Sequence, residues 1–425
     1  MPGMAIPELP SSDGLVLRPF RGVRFAVDDL AAVTSPPYDL ISQEDVQTLL
    51  DAHPNNVVRL ILPGADQHRY AEAHDTLLAW LGSGTLVADV LPALYVYEQS
   101  GPGVLLRGLI GDLGLSDPVK GIVLPHEDVL PGPVADRLAL MRATEGNLEP
   151  IFLLYEGEGG AASLLVDDVA STRAPLVEVR TDDGITHRLW ALTESAELDA
   201  VAAELRGHQA LIADGHHRYA TYLALQHDYH TEGRGPGPWD FGLALLVDST
   251  TYPPDLKAIH RVIPGLPLQE AVARARGAWQ VHDFTDVDEA LEALSSAEGP
   301  AFVLAGEDGV SHLLTDPDPV QVEHAMPASR SLRWKSLATS ILSEFLLPKV
   351  WGLQDDEESV RIVHHDAHLA VKMAHRTLGT AVIVPPLKVE DVLAIAAGGE
   401  RVPRKSTSFG PKPRTGLILR TFATD

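Results

Sequence analysis

The sequence predicts a mixed α/β protein of the α+β class, folded as several lobes. Three observations predict it. The chain has 425 residues, more than one ordinary small domain uses. Short apolar runs of strand length alternate with longer stretches of helical periodicity. Breaks rich in Gly and Pro separate them.

Taken in order, residues 1–14 read as a disordered lead. Pro36-Pro37 interrupts any regular element, and Ser42 with Asp45 three residues on forms a near capping box for a following helix. The run VVRLIL at 57–62 reads as a strand stopped by Pro63-Gly64, and 67–82 as an amphipathic helix. Residues 94–99 and 104–109 flank Ser100-Gly101-Pro102-Gly103, a hairpin signal, and 176–179 and 187–191 flank Asp182-Asp183-Gly184, another. A helix is expected at 135–143 and strands at 151–155 and 210–213. A further helix starts close after Gly215, residues 231–238 form a loop, and 241–247 is the next strand. Helices at 268–278 and 287–296 surround a strand at 279–284, and 332–347 reads as one helix. The expected domains are 1–118, 119–262, 263–330 and 331–425.

Composition narrows the function. Hydrophobic residues make up 45% of the chain and charged residues 22%, enough to bury a sizeable core. There is no cysteine, which excludes disulfides, thiolate-held zinc or Fe–S clusters and a cysteine nucleophile. No haem or flavin is expected. The formal charge of −26 repels nucleic-acid phosphates, so no nucleic-acid partner is expected. The N-terminus has no basic, apolar signal-peptide pattern, and no run of about 18 apolar residues is present. The expected location is the cytoplasm, with no membrane association.

The segment at 210–227 carries most of the chemistry. It reads as strand, tight turn and helix, with Asp214-Gly215-His216-His217-Arg218 at the turn. Glycine permits a positive φ and close approach to the backbone. A helix start presents N–H groups and the positive end of its dipole, which suits an anion. Arg218 is suited to grip a phosphate in two-pronged fashion, and the histidines to donate hydrogen bonds or move a proton near neutral pH. Cations at a helix start oppose the dipole at a cost of about 0.3–1 kcal/mol each, which points to an anion in front of them. The structural alternative is an internal ion pair for Arg218 and a cap from Asp214. Zinc at His216 and His217 is less suited, because adjacent residues do not share a helix face.

Other clusters join it as candidates. His126-Glu127-Asp128 sits in a proline-bounded loop, where Glu127 suits a general base or a magnesium ligand; an exposed acidic loop is the alternative. His260-Arg261 offers a second anion contact. His364 and His368 have the i,i+4 spacing of a helical metal pair or of a solvated helix face. Arg404-Lys405-Ser406-Thr407, with Lys412 beyond, is the most basic stretch and suits a polyphosphate; an edge strand guarded by charge is the alternative. The spacings of a Walker A loop, a nucleophile elbow and a dinucleotide fingerprint are absent.

Several of these stretches together resemble the DUF1015 family of prokaryotic proteins. They are Pro36-Pro37-Tyr38-Asp39-Leu40-Ile41-Ser42, Tyr97-Glu98-Gln99, His126-Glu127, Leu130-Pro131-Gly132-Pro133 and Asp136-Arg137-Leu138. Asp214 through Tyr219, His260-Arg261, His365-Asp366, Lys405-Ser406-Thr407, Phe409, Pro411 and Lys412 complete the set, which spans almost the whole chain in order. The Asp-Gly-His-His-Arg piece is also similar to the phosphate-binding motif of the ParB/sulfiredoxin-like superfamily, which includes chromosome-partitioning CTPases and free-serine kinases. That similarity implies a nucleotide-binding core in which Gly215, His216, His217 and Arg218 hold phosphates.

The resulting expectation is a nucleotide-dependent small-molecule kinase acting on free serine or a similar hydroxylated metabolite, with ATP or ADP and Mg2+. Its catalytic candidates are Glu127, His126 and His217. Its nucleotide-binding candidates are Asp214, Gly215, His216, His217, Arg218, His260, Arg261, Arg404, Lys405, Ser406, Thr407 and Lys412. Rival readings are a phosphoester hydrolase of the phosphoserine-phosphatase kind, a non-enzymatic nucleotide switch and a zinc hydrolase. The sequence assigns no metal ligands and no oligomeric state.

Overall fold

A computed structural model describes residues 14–306, 309–356 and 358–424. The expected disordered lead lies outside the described residues except for Gly14. The fold is mixed α/β, as the alternating runs predict. The chain divides into two compact units, one of Met1–Pro254 with Pro411–Asp425 and one of Asp255–Gly410. The borders expected near 118 and 330 fall inside these units.

The first unit is built on a mixed sheet of nine strands among the described residues. From one edge it runs Val123–Leu124, Ala210–Asp214, Ile151–Tyr155, Phe241–Asp248, Val104–Gly114, Leu94–Gly101, Thr186–Leu192 and Val177–Arg180, with Leu17–Arg18 also paired to Val104–Gly114. The hairpin between Leu94–Gly101 and Val104–Gly114 closes with Gly101 opposite Val104, as its Gly-Pro-Gly link predicts. Ala210–Asp214 is parallel to Val123–Leu124, and Phe241–Asp248 is parallel to Ile151–Tyr155. These central strands are buried along almost their whole length, which explains why they read as continuous apolar runs and not as alternating ones. Val166, Val169, Val201, Leu205, Tyr219, Tyr222 and Leu225, from three helices, pack into the same core.

A second core of this unit gathers Val23, Phe25, Val33, Leu60, Leu77, Trp80 and Leu419. Here one expectation fails. Residues 57–62 are not a strand but contain the helix Val58–Ile61. Asn56 sets it off by accepting the Val58 N–H at 3.0 Å while donating to Ala32 O at 2.8 Å. Val57, Leu60 and Ile61 turn inward at helical spacing and Arg59 lies between them, a pattern that a short apolar run conceals. The expected capping box is present: Ser42 accepts from Asp45 N at 3.2 Å, and Asp45 accepts from Ser42 N at 3.0 Å at the start of Gln43–Ala52.

The second unit carries an antiparallel sheet of six strands among the described residues. Its order is Gln280–Phe284, Ser311–Thr315, Phe302–Ala305, Thr380–Ile383, Ile259–Ile263 and Arg361–His364. Ala290, Leu294, Ala370 and Ala374, from two helices, pack with the sheet residues Val262, Val303 and Ala381. The single helix expected at 332–347 is instead Leu332–Ser336, Ala338–Ile341 and a π-helical stretch Leu342–Trp351 that holds Pro348. Leu337 is extended and separates the first two, and proline removes an N–H donor from the last. His364 and His368 do not share a helix. His364 ends a strand, His365 takes φ 46°, and Asp366 caps Ala367–Arg376. Among the described residues, no helix is long and apolar enough to cross a membrane.

Candidate functional site

The strand Ala210–Asp214 delivers Asp214 to the edge of the core, and the chain bends at Gly215 into the helix His216–Thr231. Gly215 has φ 97°. A Cβ there would lie 2.9 Å from Ile151 Cγ2 and 3.2 Å from Arg218 Nε, so both conformation and packing require glycine. The helix has no side-chain cap at its start.

Arg218 turns inward. It is 6% exposed and donates to Pro150 O and to Asp214 Oδ2, each at 2.5 Å. Its Nε has no hydrogen-bond partner. Burial alone would lower its pKa, but the charges of Asp214 and Glu149 outweigh burial and keep the guanidinium charged. Asp214 has a second cation: Lys412 Nζ lies 2.5 Å from Asp214 Oδ1 and also pairs with Asp39. These two acids likewise overcome the effect of burial on Lys412 and raise its pKa. Lys412 and Arg218 therefore converge on one carboxylate at the glycine bend.

Neighbouring residues fix this arrangement. Glu149 is buried and accepts from Tyr38 N at 3.1 Å and Thr415 Oγ1 at 2.9 Å; burial raises its pKa against the pull of Arg218. The ring of Tyr38 has the guanidinium carbon of Arg137 4.9 Å from its centre and that of Arg218 at 5.8 Å. Arg137 pairs with Asp136 at 2.5 Å and donates to Ile61 O at 2.7 Å. Arg414 donates through Nε to Thr34 Oγ1 at 2.6 Å, and its backbone N–H to Tyr97 Oη at 3.2 Å. Tyr97 Oη lies 2.9 Å from Nδ1 of His187, a histidine that burial, assisted by Arg414, lowers to about 4. Behind Arg218, Arg137, Glu149 and Tyr222 line a cavity of about 30 Å³, room for a water molecule.

The proline-bounded loop meets the helix start. His126 N donates to His216 Nε2 at 3.3 Å, with the two rings edge to face at 4.5 Å, and Leu130 N donates to His217 Nε2 at 3.0 Å. A ring nitrogen that accepts is unprotonated, so both histidines pin the loop in their neutral form. Glu127 is half-buried and Asp128 exposed on this loop.

The sequence candidates thus fall into two groups. His126, Glu127, Asp214, Gly215, His216, His217, Arg218 and Lys412 belong to the first unit. His260, Arg261, Arg404, Lys405, Ser406 and Thr407 belong to the second. There, Arg261 is fully buried and donates to Ile259 O at 2.9 Å and to the carbonyls of Arg404 and Lys405 at 3.1 Å. Lys405 takes φ 53°. Val384 N donates to His260 Nδ1 at 3.3 Å, and burial lowers this histidine to about 4.

Sequence reasoning did not single out Asp39, Tyr38, Glu149 or Thr415 for the site. Asp39 stands in the Pro-Pro-Tyr-Asp stretch, but its pairing with Lys412 spans 373 positions and leaves no local trace. Among the described residues, no three His, Cys, Asp or Glu side chains are grouped to hold a metal ion.

The sequence matches the model of a family described as a protein of unknown function, DUF1015, over residues 17–340. No curated protein matches it. Among solved structures it is similar to SbnI with a C-terminal truncation from Staphylococcus aureus, at 12% identity and a TM-score of 0.38, over 74% of this chain and 88% of that one. It is similar to a free serine kinase in complex with AMP at 16% identity and a TM-score of 0.34, over 70% and 89%. A conserved hypothetical protein from Pyrococcus furiosus matches at 14% identity and 0.34, over 71% and 92%. Similarity this remote carries no information about ligand or reaction.

Proposed function

The chain belongs to the DUF1015 family, and from that premise we propose that it is a nucleotide-dependent phosphotransferase acting on a small hydroxylated metabolite, free serine being the first acceptor to test. The observation that carries this reading is the convergence of Lys412 and Arg218 on Asp214 beside an uncapped, glycine-started helix. Phosphoryl transfer asks a protein mainly for positioning and charge stabilisation, and this arrangement supplies both. A phosphate is favoured here by the buried Arg218 Nε, which has no partner, and by the helix start without a side-chain cap.

In this reading Lys412 and the helix start receive the phosphate oxygens. Arg218 keeps Asp214 in place and adds positive potential from below. The neutral His216 and His217 hold the loop bearing Glu127 against the helix, and Glu127 accepts the proton of the acceptor hydroxyl. A bound nucleotide with Mg2+ supplies the transferable phosphoryl group.

The test is nucleotide consumption by the purified chain, followed with ATP and with ADP, with and without serine. Consumption that requires an acceptor supports the proposal, and Lys412→Met then lowers kcat/KM by about 100-fold or more. Release of phosphate from phosphoserine without nucleotide would instead identify a phosphoester hydrolase. Nucleotide binding without turnover across an acceptor panel would identify a switch.

A further inference from the structure

We propose that Asp39 is a specificity-determining residue: its carboxylate stands on Lys412 where a ligand phosphate would stand, so that only a multiply charged phosphate end displaces it. This rests on the phosphate-binding reading above and adds the class of ligand selected.

Lys412 has one ammonium and two carboxylate partners, which are not equivalent. The Asp214 side chain is 13% exposed, ends a buried strand and also neutralises the buried Arg218. Withdrawing it would strand a guanidinium in the interior, a costly step. The Asp39 side chain is 36% exposed and sits on the short turn Tyr38–Leu40 that follows Pro36-Pro37. Asp39 regains water when it leaves, and Asp214 remains on the buried ammonium as its countercharge. The turn also stays anchored without it, because Tyr38 N is held by Glu149. Asp39 is therefore the acid that yields, and it can swing outward while the turn keeps its place.

A tethered carboxylate competes at high effective concentration for the same ammonium. A singly charged anion gains no Coulombic advantage over it. The terminal phosphate of a nucleoside di- or triphosphate, or pyrophosphate, brings more charge to the same spot and gains also from the adjacent helix dipole. Selection by charge follows from the exchange.

Calorimetric titration of pyrophosphate and of dimethyl phosphate, a singly charged phosphate diester, into the full chain tests this. The wild type is expected to bind pyrophosphate and not dimethyl phosphate. Asp39→Asn is expected to bind pyrophosphate roughly tenfold tighter, since the competent state no longer has to be freed, and to gain measurable dimethyl phosphate binding. Lys412→Met is expected to bind neither. An Asp39→Asn protein with unchanged melting temperature that binds pyrophosphate no tighter than wild type overturns the inference; Asp39→Ser serves in its place where the asparagine variant does not fold. Failure of wild type and Asp39→Asn alike to bind pyrophosphate overturns both this inference and the phosphate-binding reading. Tighter binding by Asp39→Asn, in a protein that never transfers a phosphoryl group, supports the inference while overturning the transferase assignment.

Discussion

A methyl group at position 215 meets two obstacles at once, a left-handed φ and the side chain of Ile151 beneath it. Gly215→Ala is therefore expected to destabilise the protein by about 1–3 kcal/mol, read as a lower urea midpoint. An unchanged midpoint would mean that the bend relaxes freely. The need for glycine here was legible in the sequence, because a strand running into a helix through Asp-Gly has few backbone solutions. The direction of Arg218 was not. The motif is compatible with a guanidinium aimed at a ligand and with one tied to Asp214 four residues earlier, and the structure has the second geometry. Asp39 and Glu149 escaped notice for a related reason: their partners, Lys412 and Thr415, are contributed by the far end of the chain.

Among the elements, the hairpins and central strands were readable because turn chemistry and burial act locally on them. The helix Val58–Ile61 was not, since four to six apolar residues suit a buried strand and a buried helical turn alike. The return of the C-terminal segment to the first sheet was equally hidden. It is secured by Arg420, which is fully buried, pairs with the fully buried Asp112 and donates to Asn147 Oδ1 at 2.9 Å and Pro238 O at 2.7 Å. Asp112 also pairs with Arg18 at 2.9 Å. Asp112→Ala leaves a buried guanidinium without its countercharge and is expected to cost about 3–5 kcal/mol, seen in chemical denaturation. A loss below about 1 kcal/mol would show that the pair behaves like a surface ion pair.

For the molecule as a whole, the α+β class followed from the alternation of runs, but the division into units did not. The chain leaves the first unit after Pro253-Pro254 and rejoins it at Gly410-Pro411, breaks that mark loops but carry no sign that the later one returns to the earlier unit. That return matters for function, because it brings Lys412, Arg414 and Thr415 into a unit whose other site residues lie between Thr34 and Tyr222.

The most direct measurement is an equilibrium titration of Mg·ATP into the wild type, Lys412→Met and, as a control at an exposed residue of the second unit, Lys372→Met. Loss of one charge-assisted contact predicts weakening by roughly 10- to 100-fold for Lys412→Met, with Lys372→Met matching the wild type. Equal affinity in Lys412→Met and wild type would contradict the assignment of the Asp214–Arg218 bend as the phosphate site.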